Sequence, residues 1–305
     1  MIVAVTGANG FIGRHLCARF AAGGVDVRPI VRADYEKATL EDRLRDVNVV
    51  IHAAAATRAP TVAELRQSNV GLTERTLHAA TRARVDRFVF VSSQAAAGPA
   101  SARDQPVHED LPATPVEPYG RSKFDAEALV RAAGIAWTIV RPAAVYGPGD
   151  RDFLALFRLA RGGIALHPGN RDHWLSIAHV SDVADGIVAA ATSAGAARRT
   201  YFLGGDARQW RDLYVLAATT AGSRLRADVE LPFSLVNIAA SFGDAAAILR
   251  GRAGLLTSGK VALSRPKYWL CSSDRAMREL GYSPRVALPD GFRDTYAWYR
   301  KEGWL

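Results

Sequence analysis

Ile2-Val3-Ala4-Val5-Thr6-Gly7-Ala8-Asn9-Gly10-Phe11-Ile12-Gly13 opens the chain, and the rest is read outward from it. A strand-like apolar run is followed directly by GxxGxxG and then by a segment with helical character from Ile12 to Ala22. The first glycine permits the tight turn, the second lets backbone approach a pyrophosphate, and the third lets the helix pack closely on the sheet. The helix N-terminus then aims its unpaired N–H groups at the phosphates. A nicotinamide dinucleotide site is expected here, built from Gly7, Asn9, Gly10, Phe11, Ile12 and Gly13.

Further along, apolar runs alternate with amphipathic segments, the pattern of βα units and a parallel sheet. Strands are predicted at Ile2 to Thr6, Val25 to Val31, Val47 to His52, Arg87 to Ser92, Ala136 to Arg141 and Thr200 to Leu203. Helices are predicted at Ile12 to Ala22, Val62 to Arg84 with a possible break, Pro118 to Ala133 and Asp152 to Arg161. Gln94 to Pro115 reads as a surface loop. Between Arg32 and Val47 there is room only for a short helix near Leu40 to Leu44, so the third strand of a doubly wound sheet is expected to be missing. Pro29 agrees, because a strand proline is tolerated mainly at a sheet edge. The fold class is thus α/β, a Rossmann sheet with a smaller C-terminal α/β cap. Residues 1–165, with a return segment near 178–205, form the dinucleotide-binding domain, and 166–305 form mainly the substrate-binding cap.

A chain of 305 residues, 49% of them hydrophobic, can bury a large core. The formal charge is +9, but the basic residues are scattered and make no tract that would follow a phosphate backbone. A small-molecule substrate is expected, with neither nucleic acid nor a membrane as partner. No apolar run reaches the roughly 18 to 20 residues of a membrane span. Cys17 and Cys271 are far apart and lack a ligand pattern, so neither a disulfide framework nor a metal site is expected. With no basic leader before Ile2, the expected location is cytoplasmic.

The second constellation is Tyr119-Gly120-Arg121-Ser122-Lys123 at a helix start, with Ser92-Ser93 at the end of an earlier strand. Positions i and i+4 share a helix face, so Lys123 stands beside Tyr119. A phenol near its reference pKa of about 10 is a poor proton carrier at neutral pH, and a neighbouring ammonium stabilises its phenolate. A serine hydroxyl at the strand end can hold a carbonyl or alcohol. Lysine occurs at only five positions, 37, 123, 260, 267 and 301, so its presence at 123 carries weight.

These motifs resemble the extended short-chain dehydrogenase/reductase family, the NAD-dependent epimerase/dehydratase type. The likeness includes Val50-Ile51-His52-Ala53-Ala54-Ala55, Asn69-Val70-Gly71-Leu72-Thr73, Phe90-Val91-Ser92-Ser93 and Arg141-Pro142-Ala143-Ala144-Val145-Tyr146-Gly147-Pro148-Gly149. It extends to His179-Val180-Ser181-Asp182-Val183-Ala184 and Glu279-Leu280-Gly281-Tyr282-Ser283-Pro284. The resemblance implies that Tyr119 is the acid/base, that Lys123 holds the nicotinamide ribose and lowers the tyrosine pKa, and that Ser93, five residues before Gly98, is the catalytic serine. It implies that Ala53, Ala54 and Pro142 line the cofactor, that His179 and Asp182 join the domains, and that the enzyme is a homodimer. Arg32, at the end of the second strand where NAD-preferring folds carry an acid, could pair with a 2′-phosphate, so NADP is expected, with NAD as the alternative.

Several departures bear on the reaction. Gln94 and Ala95 follow Ser93 where family dehydratases carry Asp-Glu, which disfavours dehydration. Leu175 stands where nucleotide-sugar members place a pyrophosphate-binding arginine, Arg171 is further away, and only Lys260 and Arg265 lie near the position of a second. The resemblance implies hydride transfer at a carbinol or ketone carbon. A nucleotide-sugar epimerase or 4-ketoreductase is the first expectation, an NADP-dependent reductase or dehydrogenase of an apolar ketone or alcohol the second, and a non-catalytic dinucleotide-binding protein the third. Trp174 and the apolar stretch from Phe233 to Leu249 fit the second, although the stretch also reads as an ordinary cap helix.

Overall fold

Period-two alternation in the buried strands sends their side chains into two separate cores. Val3, Val5, Ile51, Val89, Val91 and Val140 pack on one side with Leu16 and Phe20 of the helix Phe11–Ala22 and with the helix Val180–Thr192. Ala4, Val50, Phe88, Phe90 and Ile139 pack on the other with the helices Leu72–Arg82 and Pro118–Ala132. Strands covered on both faces must be apolar throughout, which is why these runs hold few polar residues.

The computed structural model describes residues 1–36, 39–250 and 257–305. Its strands are β1 Ile2–Thr6, β2 Asp26–Ile30, β3 Val49–His52, β4 Arg87–Val91, β5 Ala136–Pro142, β6 Ala144–Tyr146, β7 Ile164–Pro168, β8 Trp174–His179, β9 Arg199–Leu203, β10 Asp206–Gln209, β11 Ala227–Leu231 and β12 Tyr268–Trp269. The main sheet runs β2-β1-β3-β4-β5-β9, and all five of its pairings are parallel. Among the described residues no third strand lies outside β2. Short helices Arg32–Glu36 and Leu40–Arg43 take that place, and Pro29 sits on the free edge as expected.

The remaining strands build two smaller sheets. β8 pairs with β10, β12 and β6, and β11 pairs with β7. Aromatic residues fill this half: Tyr146, Phe153, Phe157, Phe292 and Tyr299 form a buried cluster against which Trp210, Trp269, Trp298 and Trp304 pack. The C-terminal helix Leu288–Lys301 is pinned there by the Tyr299 hydroxyl, 3.3 Å from Asp150.

Two predicted elements differ in detail. The long helix expected from Val62 is interrupted: α-helical turns at Val62–Arg66 and Leu72–Arg82 flank a π-helical segment, Gln67–Gly71. The loop expected from Gln94 begins with a helical turn, Gln94–Ala97, capped by the Ser93 hydroxyl, which accepts from Ala95 N at 3.1 Å. Free cysteines stand at 17 and 271. Among the described residues there is no group of side chains suited to a metal ion, and no helix is long and apolar enough to cross a membrane.

Candidate active site

At the carboxyl ends of β1, β3, β4 and β5 the predicted site residues converge. Gly7 has φ +67°, a left-handed conformation that favours glycine, and a Cβ there would lie 2.8 Å from the Ala54 backbone. A Cβ on Gly13 would stand 2.0 Å from the Gly7 carbonyl oxygen. The turn, closed by Gly10 N donating to Gly7 O at 2.8 Å, therefore fits only glycines at its two tightest points. Asn9 and Gly10 are exposed at its mouth, Phe11 and Ile12 are half-buried, and the helix starts at Phe11 with no side-chain cap. That leaves first-turn N–H groups for an anion, the cradle a dinucleotide pyrophosphate needs. Phe11 meets the His15 ring edge to face, and His15 bonds the Pro148 carbonyl at 2.8 Å, tying this helix to the loop after β6.

Ala53 and Ala54 pass directly behind the glycine turn, and Ala54 N donates to Thr6 Oγ1 at 3.2 Å. Beneath them His52 is buried between Thr6 and Thr73, at 2.7 and 3.1 Å. Burial first, and the Lys123 charge second, push the His52 pKa down to about 3, so it stays neutral. Pro142 ends β5 and pairs with Leu203 of β9, which puts it on the same rim.

The catalytic helix begins Glu117-Pro118-Tyr119. Pro118 at the first helical position has no N–H to satisfy, and the Glu117 carboxylate accepts from Tyr119 N at 2.6 Å and from Gly120 N. Burial raises the Glu117 carboxyl pKa in spite of those two bonds. Tyr119 and Lys123 lie one turn apart, and the Ser93 hydroxyl is near enough to the Tyr119 phenol to favour its ionised form. Ser92 is committed elsewhere: its hydroxyl donates to Glu127 at 2.6 Å, and Arg141 holds the same carboxylate at 2.7 and 2.9 Å. Burial works to raise the Glu127 pKa, but the Arg141 bonds and charge, aided by Ser92 and Arg131, outweigh it and hold the carboxyl below its ordinary range. Of the two serines, Ser93 is the one brought to the tyrosine.

Lys123 is 1% exposed, and its ammonium lies over the Phe90 ring, 4.1 Å from the centroid. Burial lowers its pKa to about 7, against a smaller upward pull from Glu127. The resemblance implies a tyrosine drawn downward by this lysine; in the structure burial pushes the Tyr119 phenol well above its usual value, Glu117 adds to that, and the Ser93 hydroxyl opposes it. The lysine is itself only partly charged near neutral pH, so it offers less positive potential than a solvated ammonium.

Several positioning residues were not foreseen. Asn69, in the π-helical segment, bonds both the N–H and the C=O of Ala56, at 2.8 and 3.0 Å, and donates to Ser122 Oγ at 2.8 Å. Ser122 in turn donates to the Tyr119 carbonyl at 2.7 Å. The extra residue per turn aims Asn69 at the catalytic helix and couples the loop after β3 to it. Gln94, 4% exposed beside Ser93, has an amide nitrogen with no hydrogen-bond partner among the described residues.

Other expected residues separate from this cluster. Arg32 lies two residues past the end of β2, its side chain 92% exposed and paired with Glu36 at 3.1 Å. His179 caps the helix Val180–Thr192 through Ser181 N, and Asp182 accepts from the backbone of Arg285 and Val286 at 3.0 and 3.2 Å, which holds the C-terminal segment in place. Leu175 is 9% exposed in the aromatic cluster of the cap. Arg171 is occupied by Asp228 and Glu230. Arg265 is exposed, and the Lys260 side chain lies outside the described residues.

Comparison with known proteins adds four findings. The NAD dependent epimerase/dehydratase family matches residues 3–204. The chain is 32% identical to ceramide reductase of Caulobacter vibrioides, over 100% of this chain and 96% of that one. It is also 32% identical to the 4-hydroxy-2-methyl-3-oxo-4-farnesyl-3,4-dihydroquinoline-1-oxide ketoreductase of Stigmatella aurantiaca, over 94% and 93%. Among solved structures it is similar to MoeE5 in complex with UDP-glucuronic acid and NAD, with a TM-score of 0.78, 25% identity and coverage of 99% and 100%.

Proposed function

The chain belongs to the NAD dependent epimerase/dehydratase family, and from that premise we propose that it is an NADP-dependent reductase that converts a ketone on a largely apolar, lipid-like substrate into a secondary alcohol. The observation that carries the substrate class is Leu175. Where nucleotide-sugar members grip a pyrophosphate, this chain seals a buried leucine into the aromatic cluster of the cap, and Arg171 is bound by two carboxylates. Two relatives at 32% identity, a ceramide reductase and a farnesyl-bearing ketoreductase, carry names of the same chemistry.

When bound, the nicotinamide supplies the hydride. The protein's own part is to hold the carbonyl and deliver the proton. The Ser93 and Tyr119 hydroxyls are neighbours, and both can donate to a carbonyl oxygen placed between them. Because Tyr119 is raised, it is a neutral phenol at physiological pH, the form that gives up a proton as the oxygen becomes an alkoxide. The buried Lys123 stands one turn away, where it can hold ribose hydroxyls and compensate the phenolate left behind. The orphaned amide of Gln94 is available to a second acceptor on the substrate. Asn69, Ser122 and Glu117 position the helix that carries these groups and touch none of the reacting atoms. Residues 166–305, with the cap aromatics, would receive the apolar remainder.

Arg32 supports the NADP choice: its guanidinium is free to swing from Glu36 to a 2′-phosphate beyond the end of β2. Arg32→Ala is expected to weaken NADPH binding about tenfold and leave NADH unchanged; equal losses for both cofactors would remove the NADP assignment. The homodimer implied by the family would join the catalytic helix and its neighbour. The neighbouring helix presents Glu74, Arg75, His78 and Arg82 to solvent, so the seam would be polar and its dissociation by salt would show in light scattering.

A second reading, conversion of a nucleotide-linked sugar by the same chemistry, has in its favour the likeness to MoeE5 over almost the whole chain. The two are separated by following NADPH loss with a long-chain ketone while titrating the protein with uridine diphosphate. Turnover of the ketone without protection by the nucleotide is expected; micromolar nucleotide protection without ketone turnover would reverse the choice.

A further inference from the structure

The helix Phe233–Arg250 buries one side and, among the described residues, leaves the other exposed. Val236, Ala240 and Ala247 face inward, the first two packing with Val261 of the helix Ser258–Ser264. On the opposite side Leu235 is 57% exposed, Ile238 56% and Phe242 74%. Their spacing of three and four residues makes a single stripe. Ala239 and Ala245 are exposed with them, and the only polar exposed residues before Arg250 are Ser234 and Ser241.

Charge along this stretch of sequence is one-sided: residues 233–267 contain the basic positions 250, 252, 260, 265 and 267 and a single acid, Asp244. Among the described side chains Arg250 and Arg265 are exposed, and Lys267 lies 3.8 Å from Asp172. Asp244 is held by Ser258, whose N–H it accepts at 3.2 Å. The same helix supplies Asn237 to a cleft bounded by Val116, Ser258, Ala262, Arg265 and Pro266. That cleft borders the catalytic helix, since a Cβ on Gly259 would touch Pro118, the residue before Tyr119, at 3.8 Å.

We propose that the Phe233–Arg250 helix lies flat on an anionic lipid bilayer, with Leu235, Ile238 and Phe242 inserted at the headgroup boundary and the exposed Arg250 and Arg265 on the lipid phosphates. An apolar stripe on a helix too polar to span, in a segment of net positive charge, is the arrangement of an in-plane membrane helix. It places the mouth of the cleft at the bilayer surface, where a lipid-like ketone resides. No run of the sequence is long and apolar enough for a membrane span, and the exposed stripe comes into view only in the folded helix. The inference draws on the apolar-substrate reading for its purpose but stands on the surface itself, so either can fail alone.

Flotation of the full chain with phosphatidylcholine vesicles containing about 30% phosphatidylglycerol tests it. The protein is expected to float with those vesicles, to remain behind with phosphatidylcholine alone, and to be released by about 0.5 M salt. Replacing Leu235, Ile238 and Phe242 together by serine should cut vesicle binding at least about tenfold while leaving the circular dichroism spectrum and melting temperature of the chain unchanged, because the three side chains are more than half exposed. A wild-type chain that never floats, or a triple variant that floats as well as wild type, overturns the proposal. So does a dimer in light scattering that the triple variant alone dissolves while neither protein binds vesicles, since the stripe would then cover a second copy of the chain.

Discussion

The sheet half and the cap half use buried polar groups in opposite ways. Around β1, β3 and β4 almost every polar side chain is locked: Thr6 to His52, His52 to Thr73, Asn69 to Ala56 and Ser122, Glu127 to Ser92 and Arg141. In the cap the interior is aromatic, and one of the positions where a charge would mark a phosphate-binding site holds Leu175. Chemistry needs donors held to within fractions of an ångström, and a network that satisfies every member supplies that rigidity. Discrimination among lipid-like substrates needs apolar volume, which many side chains can provide. The contrast places reaction type in the sheet half and substrate choice in the cap.

The strongest way to break this division is Tyr119→Phe, which removes the proton donor and leaves the fold. Turnover should fall about 1,000-fold with KM little changed; undiminished turnover would mean that the proton comes from elsewhere. Next is Lys123→Met. Loss of the ammonium should lower turnover about 100-fold, yet the cofactor-free protein should melt about 2–4 °C higher at neutral pH. The sign follows from the depressed pKa. With the lysine titrating near 7 in the folded chain instead of near the ordinary lysine value of about 10.5, its burden on stability is greatest when protonated and eases as pH rises through 7 toward 10.5. A lower melting temperature in the variant would show that the charge is paid for by contacts within the fold.

The same titration predicts the pH profile of the free enzyme. Below about 7 Lys123 carries its charge, and above it the charge is lost, so kcat/KM for reduction should decline as pH rises through that value. The decline should vanish in Lys123→Met. The smallest effect is expected at Gln94→Leu: with its orphaned amide removed the protein should be no less stable, while KM rises about tenfold at constant kcat. A change in kcat instead would move Gln94 from substrate recognition to the chemistry.

Much of the sheet half was legible from sequence. GxxGxxG has a narrow physical meaning because a Cβ at Gly7 or Gly13 would collide with backbone, and Pro29 together with the short interval after it predicted the sheet edge that the fold shows. That Tyr119 and Lys123 share one helix a turn apart followed from helix periodicity alone. The positioning residues did not: Asn69 reaches Ser122 across 53 residues, through a π-helical turn that no local pattern announces. Glu117 was missed because glutamate is an uncommon N-cap, although its place directly before Pro118 was a usable signal. In the cap, the apolar run after Phe233 was noticed without its orientation, because a buried helix and a surface stripe share the same composition until the inward face is known.

Reduction of a long-chain ketone by NADPH, measured as NADPH consumed and alcohol formed in equal amounts, tests the central claim most directly. The wild-type chain should turn over such a ketone, Tyr119→Phe should not, and uridine diphosphate should leave the rate unchanged. A wild-type chain that leaves NADPH untouched with every long-chain ketone and instead interconverts a nucleotide-linked sugar would contradict it.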